Sequence, residues 1–449
     1  MNAADALARR LAELGVRRIW GEALPVSDAA AASLDHQPVG EADLAVLLAD
    51  ADGRIGEVDG RGRLGAALLP GPILHLSSRP GGTAALRTVG SPIEMLDALV
   101  DPVGLDVPAT TALHLDFDVT AEVPADIVAT AQPERRPVLT LDPSMAGLRI
   151  LTIVGPGVVR AGGIEGLGNF SRTAGSGVLN TWGAKGVERW DSPWHFGTIG
   201  PQQRDLELAE VASADVLVVS GLDPQELSVQ DIGHPLTQEV PPTQLGALCA
   251  RWDTSAEAPD SRPPLYGAIS EVVTPAYEDD TAPLSAPRAC LHLSGALPQR
   301  AMAVADAGRA GFWVARTFPT SIPNSVVVPT DPGVSAGFAA AAALVCAVEG
   351  RPCLAVSDSE GASAAETAAV LAFAEELGLG VALQVWRDPA EEGGLPMWDS
   401  ADRHVELLRQ HLSTDVVRVD DVPVRLGDLA GLERVAGSPR SVILGGSAT

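Results

Sequence analysis

Lysine is almost missing from this 449-residue chain: Lys185 is the only one, and arginine supplies the rest of the 31 basic residues. Against them stand 58 acidic residues, a formal net charge of −27. A surface so short of positive charge excludes nucleic acid as an expected partner, because phosphate contacts need clustered Lys and Arg. An anionic membrane surface is excluded for the same reason, and the acidity reads as a device for solubility. Cysteine is scarce too. Cys249, Cys290, Cys346 and Cys353 show no CxxC spacing, which argues against a zinc ribbon or a disulfide framework and for buried thiols in a reducing cytoplasm. No basic stretch followed by an apolar core opens the chain, so no signal peptide is expected. The longest low-polarity run, 334–348, is too short to span a bilayer. HExxH, GxSxG and P-loop motifs are all missing, and nothing in the eight histidines points to a Ser–His–Asp site.

Hydrophobic residues make up 46% of the chain, enough for substantial cores, and the length suits two or three domains. Residues 2–14, NAADALARRLAEL, read as a helix with Asn2 as N-cap and Gly15 as stop. Strands are predicted at VRRIW, at 43–48 (DLAVLL), at 72–76 (PILHL) and at 112–119 (ALHLDFDV). A proline-containing linker near 131–143 leads to RILTIVGPGVVRAGG and later ADVLVVSGLD. A Pro/Ser/acid-rich linker follows. The last unit carries AMAVAD, SVVVPT, CLAVSD, VALQVW and SVILGG as predicted strands. The expectation is an α/β protein of three units with parallel sheets, 1–130, 131–285 and 286–449.

Several short stretches invite chemistry. Gly155-Pro156-Gly157 follows a strand, but Arg160 holds the third glycine position of GxGxxG, so a tight strand-to-helix turn is expected. Residues 50–60, DADGRIGEVDG, echo a calcium loop. Leu48 stands at the first ligand position and Asp59 where the bidentate glutamate belongs, so a solvated acidic turn is expected. LSSRPGGTA is a Ser/Gly turn after a strand whose N–H groups could face an anion. AVSDSEGA places Asp358 on a strand-to-helix turn, where a metal and a phosphate would sit, but serines flank it and Glu360 adds charge.

Taken in order, these stretches resemble the thiamine-diphosphate enzymes of the acetolactate synthase and 2-oxo-acid decarboxylase type. ADALARRLAELGVRRIWG is similar to the family's first helix and strand, SSRPGGTA to its T-S-G-P-G-A-T-N turn, and ALHLDFDV to the strand ending its first domain. NTWGAKGVERWDSPWHFGTIG resembles its T-x-x-GKG run, with Lys185 in the GKG position. VADAGRAGFWVARTF and DPGVSAGFAAAAALVCAVEGRPCLAVSDSEG resemble the segments leading to its G-D-G metal loop. The resemblance implies a pyrimidine-binding domain, a middle domain and a diphosphate-binding domain. It also implies a first-domain acid that bonds N1′ of the aminopyrimidine, and Asp50 is assigned that place with Glu41 as the alternative register. Ser78, Gly81, Ser357, Ser359 and Glu360 fall at cofactor-binding positions. Asp358 falls at the metal position. The second metal ligand, an asparagine in the family, corresponds to Gln384, Arg387 or Asp388, of which Asp388 is preferred. A homodimer or homotetramer is implied, or a heteromeric partner that supplies the missing glutamate.

The departures cluster at both ends of the cofactor. Asp50 is one methylene shorter than glutamate, the first unit is short, and Ser357 and Ser359 replace glycines that let backbone approach the diphosphate. Glu360 would face a di-anion. The expectation is therefore a degenerate site that has lost thiamine diphosphate and Mg2+, in a protein with a structural or regulatory role or another ligand. The alternative is an active, divergent thiamine-diphosphate- and magnesium-dependent lyase or transferase making or breaking C–C bonds in 2-oxo acids.

Overall fold

The structure is a computed structural model that describes residues 1–449 other than 59–60, 80–84, 101–108, 124–136, 253–255, 332, 334, 396–397 and 445–449. It is an α/β protein with three main sheets, divided into two compact units, Met1–Val138 and Leu139–Thr449. Among the described residues no helix is long and apolar enough to cross a membrane.

The first unit opens with the predicted helix, Ala3–Glu13, capped by the Asn2 side chain. Its strands are β1 (Arg18–Gly21), β2 (Asp35–Pro38), the small pair β3 (Glu57–Val58) and β4 (Arg61–Gly62), then β5 (Gly65–Leu69), β6 (Ile73–Ser77), β7 (Leu86–Val89) and β8 (Thr110–Leu115). The main sheet runs β2-β1-β5-β6-β8-β7. It is mixed, where alternating elements had suggested a parallel layer. β6 is antiparallel to both β5 and β8. The cause is local: only Pro70-Gly71-Pro72 joins β5 to β6, with Gly71 at φ +83°, and so short a link can only reverse the chain.

A second correction lies in the same unit. DLAVLL is not a strand but part of a helix, Ala42–Ile55. A six-residue apolar run fits either structure. What decides here is the longer spacing: Leu44, Leu48, Ala51 and Ile55 recur at helical intervals and are all buried.

The second unit holds two all-parallel sheets. The first contains β9 (Ile150–Val154), β10 (Gly177–Thr181), β11 (His195–Ile199), β12 (Val216–Ser220) and β13 (Thr237–Glu239), in the order β11-β10-β9-β12-β13. Successive side chains of β9 feed opposite cores: Ile150 and Val154 pack with Phe170 and Val218, Leu151 and Ile153 with Leu179 and Val219. That is the pattern of a central strand covered by helices on both faces.

The other sheet is built from β14 (Leu284–Ser285), β15 (Met302–Ala305), β16 (Val326–Val327), β17 (Cys353–Asp358), β18 (Ala382–Arg387) and β19 (Arg418–Arg425), in the order β14-β19-β18-β17-β15-β16. Four of the five segments predicted as strands lie here. The fifth, SVILGG, begins as a helical turn, Ser441–Leu444. β19 takes its place in the sheet. Its first half, Arg418-Val419-Asp420-Asp421, alternates half-buried and exposed positions and is mostly charged, so it showed little of the apolar signature of a strand. The Ala-rich helix Phe338–Val348 is buried over Phe338–Cys346 within the chain itself.

Candidate functional site

In a parallel sheet, ligands bind beyond the carboxyl ends of the strands. Three aspartates stand there in the last sheet: Asp306 directly after β15, Asp358 at the end of β17 and Asp388 directly after β18. The sequence reading placed Asp358 and Asp388 together, and the fold brings them to neighbouring strand ends, Asp358 pairing in register with Trp386.

Each carboxylate is held by the backbone. Asp358 Oδ2 accepts from the Arg309 N–H at 2.8 Å, and Oδ1 from the Gly361 N–H at 3.0 Å. Gly308 makes the first contact feasible. It sits at φ +124°, and a Cβ there would lie 2.7 Å from Asp358 Oδ2. Asp388 accepts from the Ala390 N–H at 3.0 Å and the Gly427 N–H at 2.7 Å. Asp306 is fully buried. It accepts from the Ala339 N–H at 2.8 Å, at the start of the Ala-rich helix, and from Ser357 Oγ at 2.6 Å. Burial pushes its carboxyl up to about 6, the hydrogen bonds opposing and the nearby Asp358 charge assisting.

Positive charge at these strand ends comes from the chain. The Arg309 guanidinium pairs with Glu391 at 2.5 and 3.0 Å and lies 3.6 Å from Asp388. Ser359 Oγ donates to Glu392, and Glu392 pairs with Arg387 at 2.9 Å, which also holds Asp421 at 2.7 Å. Glu360 points to solvent as an exposed residue. Thus Ser357 and Ser359 spend their hydroxyls on carboxylates. Gln384, one of the alternatives for the second ligand, turns into the core, where its Oε1 meets His404 at 2.9 Å and the Trp386 indole N–H at 3.2 Å. Arg387, the other, is an ion-pair partner. Sequence reasoning missed Arg309, Glu391 and Glu392. The acidic run directly after VALQVW was the available signal.

Magnesium asks for about six oxygen ligands in an octahedron, several of them water or phosphate. Among the described residues no group of three or more His, Cys, Asp or Glu side chains is arranged to hold a metal. The guanidinium of Arg309 lies beside Asp388 and is paired with Glu391. Asp358 and Asp388 are the carboxylates at these strand ends that correspond to the metal positions, and each already accepts two backbone N–H bonds.

In the first unit Asp50 does not stand at a strand end. It lies in the helix Ala42–Ile55, buried, with Oδ1 2.7 Å from His75 Nε2. Asp52 is likewise buried: it accepts from the Trp20 indole N–H at 3.2 Å and from Arg63 Nε at 2.7 Å. The expected solvated acidic turn is therefore a buried polar network at these two positions, and Asp59 lies outside the described residues. The strand-to-helix junction is at Glu41 instead. This exposed residue is the N-cap of that helix, but its side chain makes no capping bond. Ser78 is buried and tied to Ala109, donating its N–H at 3.0 Å and accepting at Oγ at 3.1 Å. Gly81 lies outside the described residues.

The Gly155-Pro156-Gly157 turn is a tight strand-to-helix turn, as expected. A Cβ on Gly155 would fall 2.4 Å from both the Gly221 carbonyl oxygen and Leu222 Cα. The space is taken by the chain's own backbone. Gly155→Ala is expected to cost about 1–3 kcal/mol through overpacking, read as a lower urea midpoint.

No family model matches the sequence, and no curated protein matches it. Solved structures do. One is the X-ray structure of a "putative thiamin diphosphate-dependent enzyme" from Mycobacterium smegmatis. It superimposes with a TM-score of 0.62 over 94% of this chain and 99% of that one, at 15% sequence identity. At such identity the likeness is one of fold. The chain has the three-sheet α/β fold of that structure.

Proposed function

We propose that this chain is a thiamine-diphosphate-fold protein that does not carry out normal thiamine catalysis and serves a structural or regulatory role, or binds another ligand. The observation that supports this most is Arg309. Where the metal–diphosphate pair of such a fold would bring its own positive charge, an arginine side chain is paired with Glu391 beside Asp388. The acetolactate synthase type stays the nearest resemblance on motif order. A homodimer or homotetramer in the cytoplasm, or a heteromeric partner, belongs to the same reading. Thiols suited to a reducing setting accompany it: burial pushes Cys249 up to about 11 and Cys290 up to about 12, leaving both unreactive.

One observation favours a second reading. Glu41 stands exposed, its side chain making no capping bond, at the junction of β2 and its following helix. In an active, divergent lyase or transferase acting on 2-oxo acids, Glu41 would be the activating acid and Asp358 a metal ligand. Calorimetric titration of the purified protein with thiamine diphosphate and Mg2+ separates the two. The expected outcome is no saturable heat and no rise in melting temperature. Saturable, magnesium-dependent binding that disappears in Asp358→Ala would overturn the first reading, and Glu41→Gln with a 2-oxo-acid turnover assay would then test the second.

A further inference from the structure

The chain's single lysine is buried. Lys185 follows the short 3-10 turn Trp182–Ala184 after β10 and is 7% exposed. Its Nζ has one hydrogen-bond partner among the described residues, Thr198 Oγ1, at a long 3.4 Å, and no carboxylate within ion-pair distance. The neighbouring cation, Arg316, is matched by Asp205, both of whose oxygens lie 2.7 Å from its Nη2. A buried ammonium without a counter-ion is costly, and a chain that uses arginine everywhere else has kept lysine here.

Lys185 lines a cavity of about 350 Å3. That volume is at the small end for ligand sites. Leu265, Ile269, Val273 and Phe318 form apolar walls, and Trp190, 48% exposed, lies on the solvent side. The other titratable or charged groups around Nζ do not neutralise it. His195 is held neutral, driven down to about 3 by burial and then by Lys185 itself, and its Nδ1 has no partner among the described residues. Cys290 stays a thiol. Glu188, in a small adjoining cavity, accepts from Ser192 Oγ at 2.9 Å, and burial raises its carboxyl. Tyr277 donates its hydroxyl to the Thr317 carbonyl.

We propose that Lys185 is a nucleophilic amine that captures a small apolar aldehyde in this cavity as an imine. Burial, with the Arg316 charge second, brings the amine down to about 7, so a large fraction carries a free lone pair at neutral pH. The lone pair attacks the carbonyl carbon and the C–N bond forms. The carbonyl π pair moves to oxygen, which takes up a proton from the amine. The carbinolamine then breaks its C–O bond as the nitrogen lone pair forms the C=N bond, and the second N–H proton joins the departing hydroxide, so one water leaves and the imine remains. No oxidant or reductant is consumed. This site is separate from the strand-end aspartates, and its test is independent of thiamine binding.

The probe is benzaldehyde with sodium cyanoborohydride, applied to the whole folded protein and read by intact mass and peptide mapping. One benzyl group on Lys185 is expected, formed on the order of 10²–10³ times faster at pH 7 than in the urea-unfolded chain, because each unit of lowered pKa gives about tenfold more free amine. The rate should rise with pH and level off above about 7. The label at Lys185 should vanish in Lys185→Met, a variant that stays folded, with a melting temperature at pH 7 no lower than that of the parent chain. Labelling confined to the Met1 α-amine, or equal Lys185 rates folded and unfolded, overturns the proposal. So does saturable protection by hexanoate together with slow aldehyde labelling, which would make the cavity a carboxylate site.

Discussion

Lys185→Met is expected to stabilise the folded chain by about 3–5 kcal/mol at pH 7, a gain that shrinks toward zero above about pH 10. The sign follows from where the proton sits. Burial lowers the amine from 10.5 to about 7. Between those values the unfolded chain binds a proton that the folded chain does not, so stability rises with pH across that window. At pH 7 and below the full penalty of burying the ammonium is in force. Methionine keeps an unbranched apolar stem and removes the charge. Urea denaturation at pH 7 and at pH 10.5 reads the effect as a higher midpoint with an unchanged slope at the first pH and little difference at the second. Equal stability of the two proteins at both pH values would mean that water reaches the amine and that the cavity does not desolvate it. A residue that costs stability in this way is retained by function more readily than by packing.

Asp205→Ala should act in the opposite direction, with a loss of about 3–5 kcal/mol. Asp205 and Arg316 are both almost completely buried, with side-chain exposures of 1% and 2%. Asp205 starts a short helix beside the first sheet of the second unit, and Arg316 lies on the helix Arg309–Thr317 beside the other sheet. Arg316 also donates to the Thr198 carbonyl at 3.0 Å, while Asp205 accepts from the Gln202 N–H at 2.9 Å. Removing the carboxylate leaves a guanidinium in the interior beside the buried amine of Lys185. The urea midpoint should fall accordingly, and adding Arg316→Met should recover most of the loss, since taking out both charges costs less than stranding one. A double variant as weak as Asp205→Ala alone would assign the effect to packing. In Asp205→Ala the unbalanced charge of Arg316 should also drive the Lys185 amine lower, moving the plateau of its labelling rate to more acid pH.

The features read correctly from sequence are those carried by local pattern. β9 and β12 are mainly apolar runs, interrupted only by Thr152 and closed by Ser220, and Asp358 sits where a strand gives way to a helix. What was hidden depended on partners far along the chain. Nothing near Asp50 announces His75, twenty-five positions on, and so a buried pair looked like a free acid. Arg309 meets Glu391 across 82 positions. That pairing sets a guanidinium beside Asp388, which no local pattern announces. The helix Ala42–Ile55 was misread because the short run DLAVLL was weighed without Ala51 and Ile55, which complete its helical spacing, and β19 because its first half carries the charges of Arg418, Asp420 and Asp421. The weight of Lys185 was legible only in part. Its uniqueness is a matter of counting, whereas the lack of a carboxylate beside it needs the fold.

The charged half of β19 has a further consequence. β14 pairs with this strand only at Val424 and Arg425, so Arg418–Pro423 has no outer neighbour in the sheet among the described residues. Such a margin is a template on which another polypeptide could lay a strand and begin to aggregate. Here an arriving strand would meet Arg418 paired with Asp420 at 2.9 Å, Asp421 held by Arg387, and Pro423, which has no N–H to offer. It would have to strip water from these ions for few backbone bonds in return. Growth of fibres along this margin is therefore disfavoured, and any orderly self-association of the chain is directed to other faces.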